Sequence, residues 1–128
     1  MDAYAGKMNA SDIIDKLGPK FAARVVDNDQ NDLFVQENFD ELQAHKMFSA
    51  QIPEELGGGG VRHSDMCHAI RKIGQYCSST ALTFSMHQHL IAAAVWNYKH
   101  GKPGEALLKK VVTNELILIS TGATDWLG

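Results

Sequence analysis

Ile52-Pro53-Glu54-Glu55-Leu56-Gly57-Gly58-Gly59-Gly60 divides the chain into two helical halves. Proline lacks a backbone donor and glycine pays the largest conformational entropy, so neither a helix nor a central strand is expected across this stretch. The glycines invite comparison with phosphate-binding loops. A dinucleotide fingerprint requires a strand before the glycines and a helix directly after them, and here a proline and two acids precede them. A P-loop requires Lys-Ser or Lys-Thr after its last glycine, and Val61-Arg62 stands there instead. The stretch therefore reads as the end of a loop over residues 48–60, a tight turn whose backbone needs positive φ.

Upstream of the loop, residues 1–10 carry no periodicity and are expected to be a flexible arm. Ser11 suits a helix N-cap, and Ile13, Leu17, Phe21 and Val25 stripe one helical face. Gly18-Pro19 interrupts that stripe, as a kink or as a stop followed by a new start. The polar run at residues 27–32 is expected to be a loop, and Asn38 with Glu41 resembles a capping box opening a short helix to about Met47.

Downstream, Ser64 and Asp65 open a helix whose apolar face is Met66, Ala69, Ile70, Ile73 and Cys77. Ser78 and Ser79 break it and cap a longer helix from about Thr80 to His100. That helix is apolar nearly all round at residues 90–96, the pattern of a helix buried in the middle of a bundle. A fifth helix begins at Pro103, with Leu107, Leu108, Val111 and Val112 inward. Residues 116–121 (LILIST) have no helical period and read as one buried strand. Its backbone groups need partners, so its sheet is expected beyond the end of this chain.

The expectation is thus an all-α domain of about five helices over residues 11–115, with residues 116–128 beginning a β-domain. A length of 128 residues fits one domain, and a net charge of −3 without a basic block argues against a nucleic-acid binder. The longest apolar run is far short of the ~20 residues of a membrane span. Two cysteines, no disulfide framework and no secretory signal suggest a cytoplasmic location.

No self-contained catalytic set or metal motif is visible. His63 and Cys67 share a helix face, whereas His87 and His89 point to nearly opposite sides. No C-x-x-C, H-x-x-x-H or G-x-S-x-G pattern occurs, and Cys67 is expected to be buried. Met66, Phe84, Met86 and Trp96 are expected in the core, with some of them able to wall a cavity.

Residues 52–60 resemble the "I-P-E-E-Y-G-G-x-G" signature of the acyl-CoA dehydrogenase family. Cys77-Ser78-Ser79-Thr80-Ala81-Leu82-Thr83, followed by His87, looks like that family's "S-S-T-A…H" long helix. Tyr98-Lys99-His100-Gly101-Lys102-Pro103 looks like the break before its Leu/Lys-rich helix. Residues 116–128 sit where its first middle-domain strand enters the "T-E-P-G-A-G-S-D" loop. The resemblance implies FAD as cofactor, an acyl-CoA substrate oxidised at its α,β bond, and a homodimer or homotetramer at full length. The base and most flavin contacts would follow Gly128, so no catalytic residue is expected here. It further implies Ile119, Ser120 and Thr121 beside the flavin, and Thr83, Met86, His87 and Leu90 on the helix face nearest the substrate. Here Thr121-Gly122-Ala123-Thr124-Asp125 replaces the Glu-Pro loop, a place where related FAD- or FMN-dependent monooxygenases of this fold also vary. A non-catalytic helical interaction module is the reading from a different function class.

Overall fold

The computed structural model describes residues 8–30 and 35–119. Among the described residues five helices run in order: α1 (Ala10–Gln30), α2 (Gln36–Ala44), α3 (His63–Tyr76), α4 (Ser78–Lys99) and α5 (Glu105–Asn114). A 3-10 turn, Glu54–Leu56, lies in the connection between α2 and α3. Among the described residues there is no strand, and no helix is long and apolar enough to cross a membrane.

α1 starts one residue before Ser11, and the side chain that caps it is Asn9, whose Oδ1 accepts the Asp12 N–H at 3.1 Å. Its buried stripe is Ile14, Leu17 and Phe21, with Ile13 and Val25 at the margins. The helix runs unbroken through Gly18-Pro19, and it extends to Gln30 into the run expected to be a loop. The reason is the face each residue occupies. Pro19 is exposed, so the carbonyl it leaves unpaired one turn back, that of exposed Asp15, meets water. Gly18 is buried and lets the Tyr76 ring of α3 lie against the helix, where a Cβ would sit 2.2 Å from Tyr76 Cε2.

Asn38 does not cap α2. It lies inside the helix, fully buried, because two other helices claim its side chain. Arg24 Nη1 of α1 donates to Asn38 Oδ1 at 2.8 Å, and Asn38 Nδ2 donates to Thr80 Oγ1 of α4 at 2.9 Å. Arg24 also pairs with Glu41 and, at 3.1 Å, with Glu37.

The connection after α2 is buried rather than superficial: Met47, Phe48, Ser49, Ala50, Gln51 and Ile52 all lie in the interior. The glycine run folds back on it, with Gly60 N–H donating to Ile52 O at 2.9 Å and Val61 N–H to Ala50 O at 2.8 Å. Gly57 and Gly60 have the expected positive φ, +95° and +67°. Gly58 is required for a different reason, since a Cβ there would lie 2.1 Å from the Ile52 carbonyl oxygen.

Two apolar cores result. The larger joins α1, α2, α3 and the first half of α4 around Phe21, Leu42, Met66, Ile73 and Phe84. The smaller joins Ile52 to Ile91 and Ala94 of α4 and to Leu108 and Val111 of α5. α4 is not surrounded as its composition suggests. It buries one face, and Leu82, Met86 and Trp96 stand 66%, 44% and 50% exposed on the other. Met86 and Trp96 are therefore not core residues, whereas Met66 and Phe84 are. Cys67 is exposed because α3 buries Met66, Ala69 and Ile73, which turns its neighbour outward. α5 begins at Glu105 rather than Pro103 and turns Leu107 outward while Leu108 and Val111 are buried.

Candidate functional site

The interior segment 47–52 has few secondary-structure partners for its backbone, and buried carbonyls require donors. α4 supplies them from adjacent side chains. His87 Nε2 donates to Phe48 O at 2.7 Å, and Gln88 Nε2 donates to Met47 O at 2.9 Å. Gln51 Nε2 reaches Gln88 Oε1 at 2.7 Å and Gln88 O at 3.1 Å. Gln51 Oε1 in turn accepts His63 Nδ1–H at 2.9 Å, leaving His63 Nε2 to face Cys67 Sγ at 3.6 Å. An amide–imidazole relay, buried at Gln51 and Gln88 and exposed at His63, thus ties the loop to the middle of α4.

His87 is fully buried and meets the Phe48 ring edge-on, with centroids 5.3 Å apart. Its other nitrogen, Nδ1, accepts the Leu118 N–H at 2.8 Å. One nitrogen donates and the other accepts, which is the pattern of a neutral imidazole. Burial pushes its pKa below the usual histidine value, and the Phe48 carbonyl opposes that only in part.

The chain leaves the domain beside this relay. Glu115 ends α5 in the left-handed region, at φ +48°. Its Oε1 accepts the N–H groups of Phe48 and Ser49 at 3.1 and 3.2 Å, and its Oε2 accepts Ser49 Oγ–H at 2.8 Å. Leu116 N–H then bonds Val111 O at 3.2 Å, and Leu118 N–H bonds His87. Ile117 packs on the larger core and Leu118 on the smaller. Residues 116–119, expected to be a strand, form none; a ring nitrogen of His87 serves Leu118 in place of a sheet partner.

Of the substrate-facing residues expected, Met86 is exposed, Thr83 and Leu90 are half-buried along the same side of α4, and His87 turns into the core. Leu82, Met86, His89, Ala93 and Trp96, spaced four, three, four and three apart, form the outward strip. Beside its C-terminal half lies a cavity of about 920 Å³, lined by Gln51, Glu54, Arg62, His63, His89, Trp96 and Lys99 among others. Thr83, Met86, His87 and Leu90 do not line it. Trp96 stacks on His100 at 4.0 Å, with Lys102 Nζ 4.9 Å from the ring centre. Of the flavin-facing residues expected, Ile119 is 78% exposed just past the Leu118 anchor, while Ser120 and Thr121 lie outside the described residues. Among the described residues no three His, Cys, Asp or Glu side chains gather for a metal ion.

Gln51, Gln88 and Glu115 escaped the sequence reading. Gln88 carried one signal, an uncharged polar residue beside His87 on a largely apolar helix; Glu115 carried none, since its role arises from a loop 66 residues earlier.

Five helices, a proline–glycine loop folded onto the longest of them, and an anchored chain exit define a helical domain of the class that residues 52–60 resemble. The family described as acyl-CoA dehydrogenase, N-terminal domain, matches residues 9–115, and the chain belongs to that family. It is 26% identical over 110 residues to L-evernosamine nitrososynthase of Micromonospora sp. (strain ATCC 39149 / NRRL 15099 / SCC 1413), covering 81% of this chain and 26% of that protein. It is 27% identical over 114 residues to amino sugar nitrososynthase DnmZ of Streptomyces peucetius, covering 84% of this chain and 28% of that protein. The chain thus spans about a quarter of the length of these curated relatives. No solved structure matches it.

Proposed function

We propose that this chain is the N-terminal helical part of a flavin-dependent oxidoreductase, that the outward strip of α4 walls its substrate site, and that residues 119–121 begin its flavin-facing segment. The observation that carries this reading is the pairing of an unburied apolar strip on α4 with a chain exit pinned to the inner side of the same helix. FAD is the proposed cofactor, and a homodimer or homotetramer the proposed assembly. Exposed Ile119 fits a role against a flavin ring, since its apolar side chain is unclaimed by the helical core. Bound flavin would supply the redox chemistry; this chain supplies a wall and a fixed approach.

The substrate we favour is a small amine-bearing molecule oxygenated at nitrogen. The names of both relatives support this, as does a cavity beside the strip where the carboxylates of Glu54 and Glu55 join Gln51, His63 and His89 among apolar neighbours such as Val61, Ala92 and Trp96. Polar groups converging on a cavity fix a polar ligand better than a long alkyl chain. Acyl-CoA oxidation, implied by the resemblance of residues 52–60, is the second reading.

The test uses the protein at its natural length. It should purify with a yellow flavin released on denaturation and identified as FAD. With reduced flavin and oxygen it should add oxygen to an amino sugar, whereas dye reduction with butyryl- or octanoyl-CoA would favour the second reading. Absence of any flavin binding would sink both. Met86→Trp should raise KM several-fold without changing flavin content, and an unchanged KM in a folded variant would remove Met86, and with it the outward strip, from the wall.

A further inference from the structure

We infer that His87 is a neutral-imidazole latch: its Nδ1 lone pair holds the outgoing chain at Leu118, and a proton on that nitrogen releases residues 117–119 from the helical domain. The inference concerns this chain's own backbone and holds whichever substrate the protein takes.

Two bonds on opposite ring atoms make the latch selective. Nε2–H donates to Phe48 O at 2.7 Å, and a protonated ring keeps that bond. Nδ1 accepts Leu118 N–H at 2.8 Å, and a protonated ring sets N–H against N–H. One proton therefore strengthens the tie to the loop and abolishes the tie to the exit. The release has a defined boundary. Glu115 grips Phe48 and Ser49 through its own carboxylate and Leu116 N–H holds Val111 O, both independently of His87, so the helical domain stays closed and the chain swings from Ile117 onward.

The surroundings leave the ring poised as neutral. From the 47–52 loop it meets the Phe48 ring, and from α4 the Phe84 ring at 6.4 Å between centroids. α3 buries Met66, Ala69 and Ile73, and α5 buries Leu108 and Val111. The charged groups on the flanking connections are Lys46, Glu54, Glu55, Arg62 and Lys102, all exposed, and Glu115, which spends its carboxylate on Phe48 and Ser49. His63 connects to this region only through Gln51 and Gln88, and His89 lies on the outward strip of α4. No carboxylate bonds the ring to favour its charged form, and its burial opposes the proton until the solution is acidic.

Two substitutions separate the two bonds. Asn places an acceptor oxygen near the Nδ1 position and does not titrate. Gln places a donor nitrogen near the Nε2 position and lacks the Nδ1 acceptor. Hydrogen–deuterium exchange is measured on the protein at natural length from about pH 8 to about pH 5, with exchange times scaled for intrinsic pH dependence. In the wild type, the Leu118 amide should lose protection on the order of tenfold per pH unit below the folded pKa, while the Leu116 amide, bonded to Val111 O, should not. Peptides within α4 should hold theirs over the same range. His87→Asn should keep the Leu118 amide protected down to the acid end, and His87→Gln should leave it unprotected throughout while 47–52 stays protected. Wild-type protection of the Leu118 amide that tracks α4 across the whole range would overturn the latch, and that measurement requires no variant to fold. His87→Asn losing protection with the wild-type pH profile would overturn it equally.

Discussion

A Cβ at Gly58 would lie 2.1 Å from the Ile52 carbonyl oxygen and 2.5 Å from the Ile52 Cβ, atoms that belong to the buried wall under α4. Neither can retreat without opening the smaller core. Gly58→Ala should therefore cost about 2–4 kcal/mol, read as a shift in urea midpoint, because it overpacks backbone against backbone. Gly101→Ala is the control: its φ of +72° carries strain, but nothing lies within 4 Å of the added atom, so the loss should be nearer 1 kcal/mol. Equal losses at the two sites would refute the close-approach account. The sequence made the glycine run legible as a turn because turns select glycine. It did not reveal that Gly58 serves proximity rather than φ, which depends on where Ile52 comes to lie. His87 shows the same divide. Its place on a helix was readable, but the carbonyl of Phe48 and the N–H of Leu118 that fix its tautomer arrive from 39 and 31 residues away.

At the scale of elements, Asn38 joins three helices: α2 carries it, Arg24 of α1 donates to it, and it donates to Thr80 of α4. Asn38→Ala leaves a guanidinium short of an acceptor and an interior hydroxyl short of a donor. Breaking such a buried polar set should lower stability by about 1–3 kcal/mol, with Arg24→Ala in the same background adding less than it does alone. Additive losses in that double-mutant cycle would show that the two side chains act separately. The helices themselves were largely legible, since α1, α3 and α5 carry clear stripes. α4 was legible as a helix and not as a surface. Apolar residues on all sides signal burial without saying what does the burying, and periodicity cannot separate a face turned to its own core from one left for another surface.

For the molecule as a whole, the buried neutral His87 sets an acid limit. Its native pKa lies below the ordinary 6.5, so the unfolded chain takes up a proton that the native chain resists. Its contribution is constant above about pH 6.5 and is lost as pH falls from there toward the native value. Urea midpoints should decline over that acid range in the wild type and decline less in His87→Asn; identical slopes would assign the acid loss to other groups. The family was legible in residues 52–60 and 77–87 because those stretches combine turn geometry with a helix start in fixed order. The departure near residue 121 was legible too, though its structure lies outside the described residues.

The Glu115 staple also sets an order of events in time. Phe48 and Ser49 are buried, yet the carboxylate that accepts their N–H groups is made 67 and 66 residues later. At about 5–20 residues per second, roughly 3–13 s of synthesis separate the loop from its anchor. During that interval α1 to α4 can assemble, but the loop's amides must remain with water, and the smaller core lacks Leu108 and Val111. The domain is thus closed from its far end by α5 and Glu115, and only then does Leu118 reach His87. A nascent chain stalled between Lys99 and Glu105 should hold a formed α1–α3 layer over an open loop, a state a chaperone or a protease would see before the finished protein exists.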